Sequence, residues 1–440
     1  MLKHFLEHTR CPNSVVEPLA ARAGADLKSG GANLLSEIRS PPDAAKFIGL
    51  AQRFTGGDNQ APVTPVDMDI AIDLLRLEKY IDNKIQDKHQ SPLKAAVRRT
   101  YYMMRPLFPV SFRKYLQRVA LRGWDTMTFP AWPVDLSVEK LMEGTWRLLL
   151  RATNSRELPF IWFWPDGHAS GCIMTHDVET QAGRDFCGTM MQMERRYGIH
   201  SAFEVVPEER YEVPDEFLQD IRDGGCEVCI HGLNHDGHLF SSEDVFFQRA
   251  RKINAYAEQW KARGFRSPVM YRNLDWLPAL DFSYDMSVPN VGHLDPQRGG
   301  CCTVMPYFIG ELLELPLTTI QDYSLFNIVG QRSLDTWAKQ IDMIRKRHGL
   351  ISFIIHPDYV SDGWSSKLYE TLLEYLARLR AECGVWVALP RDVDSWWRAR
   401  REMTLTRENG AWKILGPEAE RAKVAYASIE NGNVVYRIEA

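Results

Sequence analysis

The residues with the most chemical content fall into four short groups. Thr175-His176-Asp177-Val178-Glu179 ends the apolar run Cys172-Ile173-Met174, and His231-Gly232-Leu233-Asn234-His235 comes after a second apolar run at 228–230. Two histidines four apart can meet one cation when the chain makes a helical turn between them. With Asp177 from the other tip they form two imidazoles plus one carboxylate, which leaves a position open for water, the usual arrangement of a catalytic zinc-like site. Arg266-Ser267-Pro268 places an arginine before a proline-fixed turn, where it can hold a carboxylate by bidentate hydrogen bonds. A near-continuous apolar run from Leu350 to Ile355 ends in His356-Pro357, and a histidine there is a candidate general acid. Taken singly, each group has a plain reading: satisfied histidines, a surface arginine, a core histidine. Taken together they favour a catalytic metal site.

Chemistry of this kind needs rigid elements that deliver side chains to one place. An apolar run of strand length that stops at ionisable residues reads as a buried strand with its site at the C-terminal end, as in a barrel of parallel strands. Residues 146–403 repeat that pattern. Expected strands are 159–164, 171–177, 200–206, 226–232, 269–272, 282–288, 311–317, 350–356 and 385–389. Expected helices are 181–198, 214–223, 243–263, 333–348, 364–382 and 391–402. Gly198, Gly224, Gly264, Gly349 and Gly384 each stand between a helix and the next strand, where glycine ends a helix cleanly. The repeat implies the α/β class, a parallel sheet with outer helices, and at this length a barrel.

Residues 1–145 read as a mostly helical N-terminal segment. It holds a broken helical piece over about 15–52, a loop at 56–65, and an amphipathic helix from Asp67 to about Gln86. Further helices are expected from Ser91 through Met104 and over 113–121. The stretch 98–122 interleaves Arg98, Arg99, Arg105, Arg113, Lys114, Arg118 and Arg122 with Tyr101, Tyr102, Phe112 and Tyr115. It reads either as a surface for an anionic sugar or a lipid head group, hence peripheral membrane contact, or as a solvated helix packing aromatics on the barrel. Residues 404–440 read as a small antiparallel β tail whose last two strands join through Asn431-Gly432.

In their order and spacing, the four groups resemble the polysaccharide deacetylase family, carbohydrate esterase family 4. That family shows a Thr-Phe-Asp-Asp-type motif at a strand end, then His-Ser/Thr-x-x-His, Arg-x-Pro and Leu-x-Leu-His-Pro-type motifs. This chain has Thr175-His176-Asp177, His231 to His235, Arg266-Ser267-Pro268, and Phe353-Ile354-Ile355 leading into His356-Pro357. The likeness spans about 146–400. It implies a distorted (β/α) barrel of seven or eight units. It also implies a divalent metal, zinc first, on Asp177, His231 and His235, with Arg266 orienting the catalytic base and His356 as the acid. In that register the base falls on His176, which can take a proton near neutral pH. A shifted register makes Asp177 the base and Glu179 the ligand, and Asp236 is a weaker candidate base. Asp275-Trp276 and Asp285 are candidates for the family's Asp-Trp motif, and Gly232 stands where the family has a hydroxyl residue. The loop 295–300, Tyr307 and Asp322 are candidates for shaping a cleft.

The implied activity is metal-dependent removal of an N-acetyl group from an N-acetylated sugar or glycan intermediate. Enzymes that cleave small non-sugar amides and cyclic imides have a similar barrel and supply the alternative. A non-catalytic carbohydrate-binding protein, its base lost at position 176, is the third reading.

Bulk properties narrow the field. The net charge of −4 and pI near 6.3 argue against a general nucleic-acid binder, which needs a basic excess, and leave room for a local basic face. The first 20 residues hold no apolar core of about 7–15 residues, and no stretch approaches about 18 uninterrupted apolar residues. With eight cysteines, these features lead to the expectation of a cytoplasmic protein with reduced thiols. The lone Cys226-x-x-Cys229 and the adjacent Cys301-Cys302 are read as plain thiols.

Overall fold

The computed structural model describes residues 2–16, 65–81, 119 and 121–439. Most of the expected helical piece at 15–52, the loop at 56–65 and the helix from Ser91 lie outside the described residues. So does the basic-aromatic stretch 98–122, apart from residues 119, 121 and 122. Helices α1 (Lys3–Thr9), α2 (Pro65–Arg76) and α3 (Ser137–Thr153) precede strand β1 (Glu157–Ile161). After them come β2 (Ser170–Val178), α4 (Gln181–Arg196), β3 (Ala202–Val205), α5 (Asp215–Asp223), β4 (Glu227–His231), α6 (Glu243–Trp260) and β5 (Gly264–Arg266). Next are β6 (Tyr284–Asp285), β7 (Tyr307–Ile309), β8 (Leu312–Glu314), α7 (Asp335–Arg345), β9 (Leu350–Ile354), α8 (Gly363–Cys383), β10 (Val385–Ala388) and α9 (Pro390–Glu402). Four strands end the chain: β11 (Thr404–Glu408), β12 (Ala411–Leu415), β13 (Val424–Glu430) and β14 (Asn433–Ile438).

The central sheet runs β10-β2-β3-β4-β5-β6-β8-β7, with β9 also paired to β2. Every pair in it is parallel except β7 with β8. The sheet curls until β9 meets the segment after β8. There Thr319 N donates to Ser352 O at 3.3 Å, and the Thr318 and Thr319 hydroxyls donate to Leu350 O and Ser352 O at 2.7 Å each. Closure through threonine side chains instead of a continuous ladder makes the barrel distorted. This is the distorted (β/α) barrel expected from the sequence.

Local sequence explains the main elements. β2 is buried along its whole length, as a strand covered on both sides must be. Thr180 caps α4, its hydroxyl accepting from Gly183 N at 3.0 Å. α8 stops at Gly384, whose φ of 65° lies in the left-handed region. One expected strand is corrected: residues 269–272 form no strand. The sheet position belongs to Gly264–Arg266 instead, and the chain leaves it at Pro268, which has no N–H to give a ladder; Val269 and Met270 then turn with φ of 62° and 57°. The expected strand at 159–164 is β1, but it lies outside the barrel, paired antiparallel with β13. Asn431-Gly432 does join β13 to β14. All eight cysteines are free thiols, and among the described residues no helix is long and apolar enough to cross a membrane.

Two apolar cores flank the sheet. One lies under α4 to α8; the other gathers α1, α2, α3, β1, α9 and the tail. Together they hold the strand tips rigid, which a site built from four separate strands requires.

Candidate active site

Side chains alternate across a strand, so the tip of β2 sends Thr175, Asp177 and Glu179 one way and His176 and Val178 the other. The inner direction leads to the C-terminal ends of β4, β5 and β9. In register, Asp177 lies beside Glu204 of β3, and His231 of β4 beside Arg266 of β5. Gly232 then lets the chain turn sharply with φ of 62°, and a Cβ there would lie 2.4 Å from Pro268 Cγ. The absent side chain therefore lets the second motif nest against the third. His235 has φ of 53°, an uncommon backbone for a residue with a Cβ, and its ring lies 5.0 Å from that of His231. The two histidines thus meet through a turn after a strand, not on one face of a helix.

Glu179 sits at the centre of the resulting cluster. Its Oε1 is 2.7 Å from His235 Nε2, 3.6 Å from His231 Nε2 and 3.4 Å from His356 Nε2. His231 Nδ1 donates to Arg266 O at 3.1 Å, which leaves the Nε2 lone pair aimed at the cluster. The Nε2 atoms of His231 and His235 are buried and lack hydrogen-bond partners; the short approach of His235 to Glu179 has no hydrogen-bonding alignment. Orphaned buried imidazole nitrogens are costly. Glu179, His231 and His235 present ligand atoms within 4.8 Å of one another and fit a divalent cation of the zinc type. Asp177, Glu179 and His356 form a second such group. There, however, Asp177 Oδ1 already accepts from Arg266 Nη1 at 2.6 Å, and His356 Nδ1 is held by Asp322 Oδ1 at 2.7 Å.

Electrostatics separates the roles. Burial opposes the ionised form of Asp177, but the Arg266 guanidinium, with His231 and His356, outweighs it and holds the carboxyl below its usual range. Burial likewise opposes charge on Glu179, and the surrounding histidines, His235 first, hold it well below the ordinary value. His356 goes the other way. Burial would strip its proton, yet the Asp322 carboxylate raises it well above the ordinary histidine range. Asp322 also accepts from His356 N at 2.7 Å, so it fixes the backbone and the ring together.

His176 takes no part in this cluster. Its ring lies on the outer face of β2, fully buried under α4 and α8. Nδ1 donates to Ile355 O at 3.1 Å, and Nε2 is paired with Glu194 Oε1 at 2.7 Å. Ser201 and Tyr369 hydroxyls donate to Glu194 at 2.6 Å each. Asp236 is engaged by Arg249 at the rim, with both carboxylate oxygens at 2.7 Å. Of the cleft candidates, Asp322 orients His356, whereas Tyr307 donates to Arg76 O at 3.0 Å. Asp285 lies at the tip of β6, in register with Phe265 of β5. Sequence reasoning missed Glu194, Glu204, Ser287 and Glu314, which carry no motif.

No family model matches the sequence, and no curated protein sequence matches it. Among solved structures, the chain is similar to a Mycobacterium smegmatis protein assigned as a polysaccharide deacetylase, at 20% identity and a TM-score of 0.45, over 57% of this chain and 98% of that one. An allantoinase is similar at 14% identity and a TM-score of 0.41, over 54% of this chain and 92% of that one. A Pseudomonas aeruginosa protein assigned as a polysaccharide deacetylase is similar at 13% identity and a TM-score of 0.41, over 53% of this chain and 93% of that one. The barrel type rests on the strand order and on the position of the motifs at strand tips.

Proposed function

We propose that the protein is a metal-dependent hydrolase that removes an N-acetyl group from an N-acetylated sugar or glycan intermediate. One observation carries the reading. A cation cradle with two orphaned imidazoles stands beside a carboxylate held ionised and a histidine held protonated, and an amide hydrolase needs all three. Glu179, His231 and His235 are the metal ligands in this reading and Asp177 is the base, the shifted register of the first motif. The hydrogen bond from Arg266 to Asp177 Oδ1 supports the base role for Asp177, and the parity of β2, which turns His176 away from the cluster, supports the shifted register.

A bound divalent cation would polarise the amide carbonyl and acidify a water molecule. Asp177 removes a proton from the attacking water as its oxygen bonds to the carbonyl carbon. Arg266 keeps Asp177 ionised and aimed. As the carbon–nitrogen bond breaks, His356 gives its Nε2 proton to the departing amine, and Asp322 holds the imidazole ring throughout. Acetate and a free amine are the products.

The test is bound metal by elemental analysis together with acetate release from N-acetylglucosamine oligomers, in wild type, Glu179→Ala and His231→Ala. The reading expects about one ion per chain, as one open site predicts, lost in both variants together with acetate release. Metal bound without acetate release moves the substrate to another amide. A wild type that takes up no metal on reconstitution overturns the mechanism.

A further inference from the structure

Asp285 and Glu314 are adjacent in register on β6 and β8 and are both fully buried. Two carboxyls in contact without water cannot both ionise at low cost. Glu314 Oε1 accepts from Val288 N at 3.0 Å, while its Oε2 has no donor. Both oxygens of Asp285 are occupied: Ser287 Oγ donates to Oδ1 at 2.6 Å, and Ser287 N to Oδ2 at 3.1 Å. A proton on Glu314, donated to Asp285, completes the set. Burial first, then the Asp285 charge, raises Glu314 well above the ordinary carboxyl range.

The pair braces a part of the fold that needs it. Past the two residues of β6, the segment from Met286 to Val288 has ladder hydrogen bonds at its ends, Met286 N to Phe265 O and Leu317 N to Val288 O at 2.9 Å each, while Ser287 N between them is held by the Asp285 side chain. That segment holds the Arg266 region from two sides. Met286 O accepts from Arg266 Nε at 3.1 Å, and Ser287 Oγ accepts from Ser267 N at 2.8 Å. The guanidinium so placed reaches Asp177 at 2.6 Å.

We propose that Asp285 and Glu314, sharing one proton, are positioning residues that set Arg266 and through it Asp177, with Ser287 as the link. The inference rests on Asp177 being the base.

Two readouts test it, one of them independent of substrate. In nitrogen–proton correlation spectra, the buried Arg266 Nε–H gives a solvent-protected resonance, assigned by its loss in Arg266→Lys. Ser287→Ala removes one hydroxyl, and Glu314→Leu removes the carboxyl at similar volume. Both are expected to lose or shift that resonance and to lower kcat about 10–100-fold, the range for residues that orient a reacting group. KM and bound metal are expected to stay within about twofold, the sign of a lost orientation instead of lost binding. Glu314→Gln offers an amide donor to Asp285 and an acceptor to Val288, and is expected to restore both readouts if Glu314→Leu fails to fold or loses activity. The proposal is overturned if Ser287→Ala leaves the resonance and kcat unchanged, or if Glu314→Gln is as damaging as Glu314→Leu. If wild type releases no acetate, the deacetylase reading fails by itself, and the resonance alone decides the positioning role.

Discussion

The two faces of the β2 tip differ in how their polar groups are satisfied. On the outer face, His176, Glu194, Ser201 and Tyr369 satisfy one another and the Ile355 carbonyl. On the inner face, Asp177 and Glu179 meet three histidines, and two of the imidazole nitrogens have no partner. The outer pair is fully buried, whereas His235 and Glu179 on the inner face keep 12% and 20% of their side-chain exposure. A closed network of this kind stabilises one arrangement of the chain, and an open one keeps lone pairs free for something the fold itself does not supply. In the proposed reading the closed face is scaffold and the open face is the site.

Several substitutions break that contrast, and the largest effects fall on the open face. Glu179→Ala removes the central carboxylate and is expected to abolish metal retention and activity, checked by elemental analysis and acetate release. Its fold should persist, because the cluster it leaves is already unsatisfied. Asp177→Asn keeps the shape but removes the proposed base. A loss of about 10²–10⁴-fold in kcat is expected, with metal content unchanged, since a general base contributes on that order. On the closed face the outcome reverses. Glu194→Ala leaves His176 without its buried partner and is expected to cost about 3–5 kcal/mol of stability in denaturant unfolding. Metal stoichiometry in the folded fraction should stay as in wild type. If Glu194→Ala instead leaves stability intact and removes metal, the assignment of the two faces is inverted.

The smallest expected effect sharpens the comparison from a third position. Glu227, at the start of β4, accepts from the Tyr284 hydroxyl at 2.6 Å and from Arg391 N at 3.1 Å. Burial still pushes it up to about 7. The folded chain therefore holds a proton that the unfolded chain releases near pH 4.5, and stability falls as pH rises from about 4.5 through 7. Glu227→Gln removes this slope and is expected to raise stability at pH 8 by roughly 1–3 kcal/mol relative to wild type. Thermal unfolding of both chains at pH 5 and pH 8 checks the sign.

Much of the site was legible because its residues end apolar strands, where type and position coincide: Glu179, His231, Arg266 and His356 each stand at or just past a strand tip. The parity of β2 was legible too, since positions 176 and 177 of one strand must face opposite ways. The family register favoured His176, and the parity of β2 turns that ring toward Ile355 and Glu194, which supports the shifted register. Asp322, Glu314 and Glu194 were not legible as partners. Each acquires its role from a neighbour brought beside it by the barrel, at sequence distances that leave no periodic trace. Strand β5 was misplaced because Gly264, which read as a helix stop, opens the strand itself, and its three residues are too few to show alternation. The N-terminal basic-aromatic stretch remains a reading from sequence.

The pairing of β1 with β13 has a consequence for how the chain is made. During synthesis β1 emerges before any barrel strand, and its partner emerges after all of them. Until then β1, with Leu158, Phe160 and Ile161, presents an apolar strand edge whose native partner is not yet made. The aromatic core behind β1 therefore closes last, and a ribosome that stalls in the tail releases a nearly complete barrel with one sticky edge.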